Sequence, residues 1–152
     1  MPGPFQELVS RIAKQVHGRR RQPKANPRAL FVGQPDALGL REPAGLVKAT
    51  DVEEALARLR HEEIPVVLCD QDVSGDWRTT VRRLASSRCR PSVVVLSADK
   101  PLRLWQQITA AGGYDIVRKP VPPGVLEHVI SSATAYWRCR RALDSARRNF
   151  GG

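Results

Sequence analysis

Long apolar segments are missing from this sequence of 152 residues. No uninterrupted apolar run reaches the roughly 18 residues that a transmembrane helix needs, and the mean hydropathy is -0.35. The amino terminus also lacks the basic start, the long apolar core and the small-residue cleavage site of a secretory signal peptide. We therefore expect a soluble, cytoplasmic protein.

Cysteine is scarce, and its spacing argues against a disulfide framework and against a zinc site. Cys69, Cys89 and Cys139 are odd in number and far apart, without a C-x-x-C pair or a nearby histidine. We expect free thiols. Cys69 ends an apolar run and is expected to be a small buried hydrophobe.

Acidic residues are also few, since 15 Asp and Glu stand against 25 Lys and Arg, which gives a net charge of +10. Such a surplus favours nucleic acid, anionic membranes or acidic proteins as partners. Aromatic residues make up only 5% of the chain and no DNA-binding motif is recognised, so a solubilising surface is the competing interpretation. We expect weak, sequence-independent polyanion binding through the basic ends. Their charged residues are Arg19, Arg20, Arg21, Lys24, Arg138, Arg140, Arg141, Arg147 and Arg148.

Short apolar runs alternate with amphipathic helical patterns along most of the chain. This alternation predicts a parallel sheet with helices on both faces, because parallel neighbours need a crossover connection. Thr50 or Asp51 is expected to cap the helix that follows the second strand. The predicted strands are residues 29–32, 46–49, 65–69, 92–96 and 114–117.

Polar residues follow three successive predicted strands. Asp70 comes after the third strand, Ser97 after the fourth, and Lys119 after the fifth. Because function in parallel sheets collects at the carboxyl ends of the strands, these residues form the candidate site.

A carboxylate, a hydroxyl and a lysine in this order resemble the receiver domain of two-component response regulators. The resemblance covers Arg28 to about Tyr136 and rests on the motifs PVVLCD, SVVVLSA, AAGGYDIVRKP and DVEEAL. It implies a flavodoxin-like doubly wound α/β fold with five parallel strands in the order 2-1-3-4-5.

The resemblance also implies roles for the site residues. Asp70 would be the phosphoacceptor and a ligand of Mg²⁺, and a histidine kinase or another signalling protein would be the partner. Ser97 and Lys119 would contact the transferred phosphoryl group and stabilise its charge.

The sequence departs from the family pattern where receivers carry two adjacent acidic residues after the first strand. Gly33 and Gln34 stand there, so Mg²⁺ is expected to bind only weakly, unless Asp36 and Asp72 compensate. Carboxylates introduced at both positions 33 and 34 are expected to raise the metal affinity. Ile116 also replaces the aromatic residue that many receivers place on the fifth strand.

The segment before the first strand provides an apolar stripe, because Phe5, Leu8, Val9 and Ile12 follow helical spacing. The interval from residue 34 to residue 51 is too short for a full first helix plus a strand. We therefore expect the helix at 5–16 to cover the exposed sheet face. The predicted division is an amino-terminal helix and basic connector at 1–27, a receiver-like domain at 28–148 and a tail at 149–152.

These observations predict a stand-alone, atypical receiver that acts by protein contact in a phosphorelay, with phosphorylation of Asp70 weak or lost. A conventional phosphorylated receiver is one alternative. A basic nucleic-acid-associated protein that uses the receiver fold as a scaffold is the other. An independent enzyme is not expected, because the sequence contains no second catalytic constellation.

Deleting residues 1–22 is expected to lower the melting temperature, because the apolar stripe of the amino-terminal helix would no longer cover the sheet. Thermal unfolding of the truncated and full chains measures this directly. An unchanged melting temperature would contradict the predicted packing.

Overall fold

The structure is a computed structural model that describes residues 28–34, 43–98 and 101–150. The predicted helix at 5–16, the basic connector before Arg28 and Asp36 all lie outside the described residues. Their packing and their contribution to the site therefore stay predictions.

Five parallel strands form one sheet in the order 2-1-3-4-5, numbered along the chain, which confirms the predicted fold class. The third strand includes Asp70, and the fifth begins and ends one residue later than its pattern predicted. These shifts are small because the apolar runs are short and are bounded by turn residues. The strands are β1 (Ala29–Val32), β2 (Leu46–Ala49), β3 (Val66–Asp70), β4 (Ser92–Ser97) and β5 (Asp115–Arg118).

Two of the helices begin where an aspartate side chain accepts a hydrogen bond from a free backbone N–H group of the first turn. Asp51, one of the two predicted caps, accepts a hydrogen bond from the Glu54 N–H at 2.8 Å, and Asp76 accepts one from the Thr79 N–H at 3.2 Å. None of the described helices combines the length and apolar content needed to cross a bilayer. The helices are α1 (Val52–His61), α2 (Trp77–Ala85), α3 (Pro101–Ala110) and α4 (Pro123–Phe150), with a 3₁₀ turn at Gln71–Val73.

Alternate strand residues point to two separate cores. On one face, Val67 and Val93 belong to a cluster that includes residues of α1, α2 and α3. On the other face, Phe31 and Leu68 pack in a cluster whose described helical members all come from α4. The near-continuous apolar strands follow from this arrangement, because a parallel sheet is buried on both faces.

The last helix extends well past the sheet. Its 28 residues span about 42 Å at 1.5 Å per residue, whereas the six residues of β4 span about 20 Å. Trp137 anchors the helix where it leaves the sheet, since the indole N–H donates to the Cys89 carbonyl at 2.9 Å. Beyond this anchor the helix is largely exposed, as Leu143 and Phe150 show.

Replacing Trp137 with Phe is expected to lower the free energy of unfolding by about 1–3 kcal/mol, because the buried Cys89 carbonyl loses its indole donor. Urea unfolding measures the change. Trp105→Phe is the matched control, because Trp105 is 49% exposed and its loss should change little. Equal effects of the two substitutions would contradict the anchoring role of Trp137.

Candidate functional site at the carboxyl ends of the strands

The strand register brings the three predicted site residues to one edge of the sheet. Asp70 pairs with Leu96, so that Ser97 follows one residue later on the neighbouring strand. Ser97 in turn pairs with Arg118, the residue before Lys119. The Lys119 N–H extends this ladder by donating to the Ser97 carbonyl at 2.9 Å.

Lys119 bridges two carboxylates. Its Nζ lies 2.8 Å from Oδ1 of Asp70 and 3.1 Å from Oδ2 of Asp72. The Asp70 side chain is 7% exposed and that of Lys119 15%, whereas the Asp72 side chain is 78% exposed. The Asp72 N–H also donates to Asp70 Oδ1 at 3.0 Å, which fixes the orientation of the buried carboxylate.

Asp70 and Asp72 stabilise the charged form of Lys119. Burial by itself favours the neutral amine, but the hydrogen bonds to Asp70 and Asp72 outweigh burial and raise the pKa of Lys119 above its ordinary value of 10.5. The side chain is therefore an ammonium throughout the physiological pH range. It supplies a fixed positive charge beside Asp70.

Ser97 is fully buried, and its hydroxyl donates to Oε1 of Gln71 at 2.5 Å. Gln71 directly follows Asp70 and begins the 3₁₀ turn after β3. Ser97 was predicted from the sequence as a site residue, whereas Gln71 was not. Only the position of Gln71 beside Asp70 could have suggested it, because a glutamine carries no charge and belongs to none of the motifs. The peptide bond between Lys119 and Pro120 is cis.

Gly33 lies directly against Asp70. A β-carbon added at residue 33 would stand 2.7 Å from Cβ and 3.4 Å from Oδ2 of Asp70. The backbone φ of +148° at this residue is also one that side-chain-bearing residues rarely adopt. The Asp70 side chain thus uses space that a side chain at position 33 would need.

The described residues do not make a complete magnesium site. Mg²⁺ prefers oxygen ligands in octahedral geometry and depends on carboxylates for charge neutralisation. Asp70 and Asp72 both contact the Lys119 ammonium, and within the described ranges no three acidic, histidine or cysteine side chains are placed so that they could hold a metal ion. Gln34, at the second of the two acidic positions, is exposed and uncharged.

Cys69 and Ile116 are both part of the packing of the hydrophobic core. Cys69 is fully buried, as predicted. Its burial and, to a smaller extent, the nearby charge of Asp70 raise the pKa of its thiol to about 12. Ile116 is half-buried and packs against the core that contains α1, α2 and α3.

Replacing Lys119 with Met is expected to lower the free energy of unfolding by about 2–4 kcal/mol, because the buried Asp70 carboxylate loses its counter-charge. Adding Asp70→Asn should restore part of that loss, since the remaining group is then neutral. Chemical denaturation of the single and double variants measures both effects. Asp72→Asn is the control and should cost less than about 1 kcal/mol, because Asp72 is exposed. A Lys119→Met variant as stable as the wild type would exclude a stabilising ion pair.

The stabilisation due to Lys119 is expected to be constant from about pH 7 to about pH 10. The folded-state pKa of Lys119 is raised, so its contribution is complete below the unfolded value and is lost only as the pH rises through the folded value. Comparing the unfolding free energies of the wild type and Lys119→Met across this range tests the sign. A difference that vanished already at neutral pH would contradict it.

Solved structures of receiver domains resemble this chain in fold. NtrX from Brucella abortus, in complex with ADP, matches with a TM-score of 0.66 and 21% sequence identity, over 82% of this chain and 30% of its own. The chemotaxis response regulator CheY4 of Vibrio cholerae matches with a TM-score of 0.58 and 19% identity, over 72% of this chain and 99% of its own. The signal receiver domain of modulated diguanylate cyclase from Desulfovibrio desulfuricans G20 matches with a TM-score of 0.61 and 21% identity. This match covers 76% of this chain and 99% of the other.

The match spans less than a third of the NtrX chain but nearly all of the other two chains. No family model matches this chain, and a search of curated protein sequences found no significant match. At these identities the likeness concerns the fold. The chain therefore has the flavodoxin-like fold of response-regulator receiver domains, as the resemblance of its sequence motifs predicted.

Proposed function

We propose that this chain is an atypical receiver domain that acts in a phosphorelay by contact with a histidine kinase or another signalling protein. Asp70 holds the phosphoacceptor position, with Ser97 and Lys119 as the groups that would contact a phosphoryl group. Magnesium-dependent phosphorylation is weak or lost. The bridge from Lys119 to Asp70 and Asp72, together with Gly33 and Gln34 at the acidic positions, carries this proposal.

The positive charge at the site comes from the protein itself. Carboxylates clustered without a cation repel one another, and a divalent ion relieves that repulsion in a site of several acids. Here Lys119 already compensates Asp70 and Asp72, so metal entry would require two salt bridges to loosen. This cost, added to the missing acidic pair, makes metal binding unfavourable.

Transfer to Asp70 would form a bond between a carboxylate oxygen and phosphorus while the bond from phosphorus to the donor nitrogen of a phosphohistidine breaks. The histidine nitrogen would take up a proton. Oδ1 of Asp70 is engaged by Lys119 and by the Asp72 N–H, whereas Oδ2 faces Gly33. Lys119 is placed to stabilise the developing negative charge, but without a metal the remaining charge is poorly neutralised.

The hydroxyl of Ser97 would have to exchange partners in a phosphorylated state. It now donates to Gln71, and to contact a phosphoryl oxygen it would leave that amide. This exchange adds to the cost of phosphorylation, because the Gln71 carbonyl oxygen loses a hydrogen-bond donor. The unphosphorylated arrangement is thus supported by both Ser97 and Lys119, which favours a role carried by protein contact.

Incubating the chain with a small-molecule phosphodonor and Mg²⁺, followed by intact-mass measurement, tests the proposal. We expect little phosphorylation of the wild type and none of Asp70→Asn. Stoichiometric labelling of the wild type that Asp70→Asn abolishes would instead establish the conventional phosphorylated receiver.

Gln34→Asp is expected to increase both Mg²⁺ affinity and labelling of Asp70, because it adds one carboxylate at an exposed position beside the site. Calorimetric titration and mass measurement give the two readouts, and Gln34→Asn is the uncharged control. The structure argues against Gly33→Asp for this purpose, because its side chain would collide with Asp70. If Gln34→Asp and Gln34→Asn behaved alike, the missing carboxylate would not be what limits metal binding.

A further inference from the structure

An arginine-lined groove lies between the loop that joins α2 to β4 and the end of α4. The groove has a volume of about 680 Å³. Cys89 and Asp144 also line it, so that the charged residues of the lining are six arginines and one aspartate. We call this the arginine groove, and its basic residues are Arg88, Arg90, Arg140, Arg141, Arg147 and Arg148.

The arginine groove lies at the opposite end of the sheet from Asp70. Arg88 and Arg90 precede β4, whose first residue, Ser92, hydrogen-bonds the Ala133 carbonyl of α4 at 3.0 Å. About 13 Å of strand separates Ser92 from Leu96, the residue that pairs with Asp70. The two sites are therefore independent in position.

Two guanidinium groups are held in place by aromatic rings. The Arg140 guanidinium lies 5.3 Å from the ring centre of Tyr136, and that of Arg141 lies 4.7 Å from the ring centre of Trp137. Arg141 also pairs with Glu63 at the margin of the groove. These contacts orient the guanidinium groups before any ligand arrives, which lowers the entropic cost of binding.

The loop wall of the groove has a strained backbone. Arg90 has a φ of +46°, although it carries a side chain and precedes a proline, and both features disfavour that conformation. Its carbonyl accepts a hydrogen bond from Arg140. The Nε–H of Arg140 is buried and has no hydrogen-bond partner in the part of the chain that the structure describes. The groove thus keeps two unfavourable features, as ligand sites often do.

We propose that the arginine groove binds the phosphodiester backbone of a single nucleic-acid strand. Guanidinium groups form bidentate hydrogen bonds with phosphate oxygens, and crowded arginines repel one another until an anion neutralises them. Arg140 and Arg148 stand about 12 Å apart along the helix axis. A ligand with phosphates spaced along its length satisfies such a row better than a compact oligophosphate does.

The proposal predicts binding without base recognition, because contacts to phosphates carry no sequence information. It also predicts strong salt dependence, since each neutralised phosphate of a single strand contributes roughly -0.7 to the slope of log K against log salt. Asp70→Asn should bind as the wild type does, because Asp70 lies at the other edge of the sheet. Failure of this proposal is therefore distinguishable from failure of the phosphorelay role.

Fluorescence anisotropy with a labelled oligothymidylate and with a mixed-sequence strand, between about 50 and 200 mM salt, is the direct test. The variant Arg88→Ala with Arg147→Ala removes one arginine from each wall. We expect binding to weaken roughly tenfold and the salt slope to fall by about 1.4. Arg60→Ala with Arg82→Ala removes the same charge from exposed positions outside the groove and should change binding much less.

Replacing Arg88 and Arg147 with Lys should preserve most of the salt slope, which separates loss of charge from loss of folding. Equal weakening by the groove variant and the Arg60 and Arg82 control would overturn the proposal, because affinity would then follow net charge alone. Binding of inorganic tripolyphosphate without binding of either strand would overturn it as well. So would the absence of strand binding by the wild type at the lowest salt.

Discussion

Burial of a parallel sheet on both faces is the constraint from which the rest of this structure follows. The three central strands, β1, β3 and β4, are buried throughout, so Val67 and Val93 serve one core while Leu68 and Val94 serve the other. The two polar sites described above therefore lie at the two ends of these buried strands. Asp70 lies at the carboxyl ends of the strands and the arginine groove at the amino ends.

At the carboxyl ends of the strands, the Lys119 ammonium compensates the negative charge of the two nearby aspartates. Lys119 contacts Asp70 and Asp72, and Gly33 provides the space in which the Asp70 side chain lies. These features belong together physically, because a carboxylate at position 33 would crowd and repel Asp70 unless a further cation were present. This arrangement is the basis of our proposal that metal-dependent phosphorylation of Asp70 is weak or lost.

The long helix α4 links the two ends. It begins after β5 at the carboxyl edge, covers the core that contains Phe31, and reaches the amino edge, where Trp137 bonds to Cys89. Its continuation past the sheet is rich in arginine and lines the groove together with Arg88 and Arg90 of the loop that joins α2 to β4. One element thus contributes to the core and supplies one wall of the proposed nucleic-acid groove.

The sequence alone determined the order of the strands and helices and the positions of Asp70, Ser97 and Lys119 at the strand ends. Apolar periodicity and turn residues act locally, and the resemblance to receiver motifs added the strand order. Tertiary structure decided which side chains meet, including the contact of Gly33 with Asp70 and that of Ser97 with Gln71. It also brought Arg88 to residues of α4 such as Arg147. Such contacts join residues that are distant in sequence, so they depend on strand register and on where α4 leaves the sheet, which local patterns do not specify.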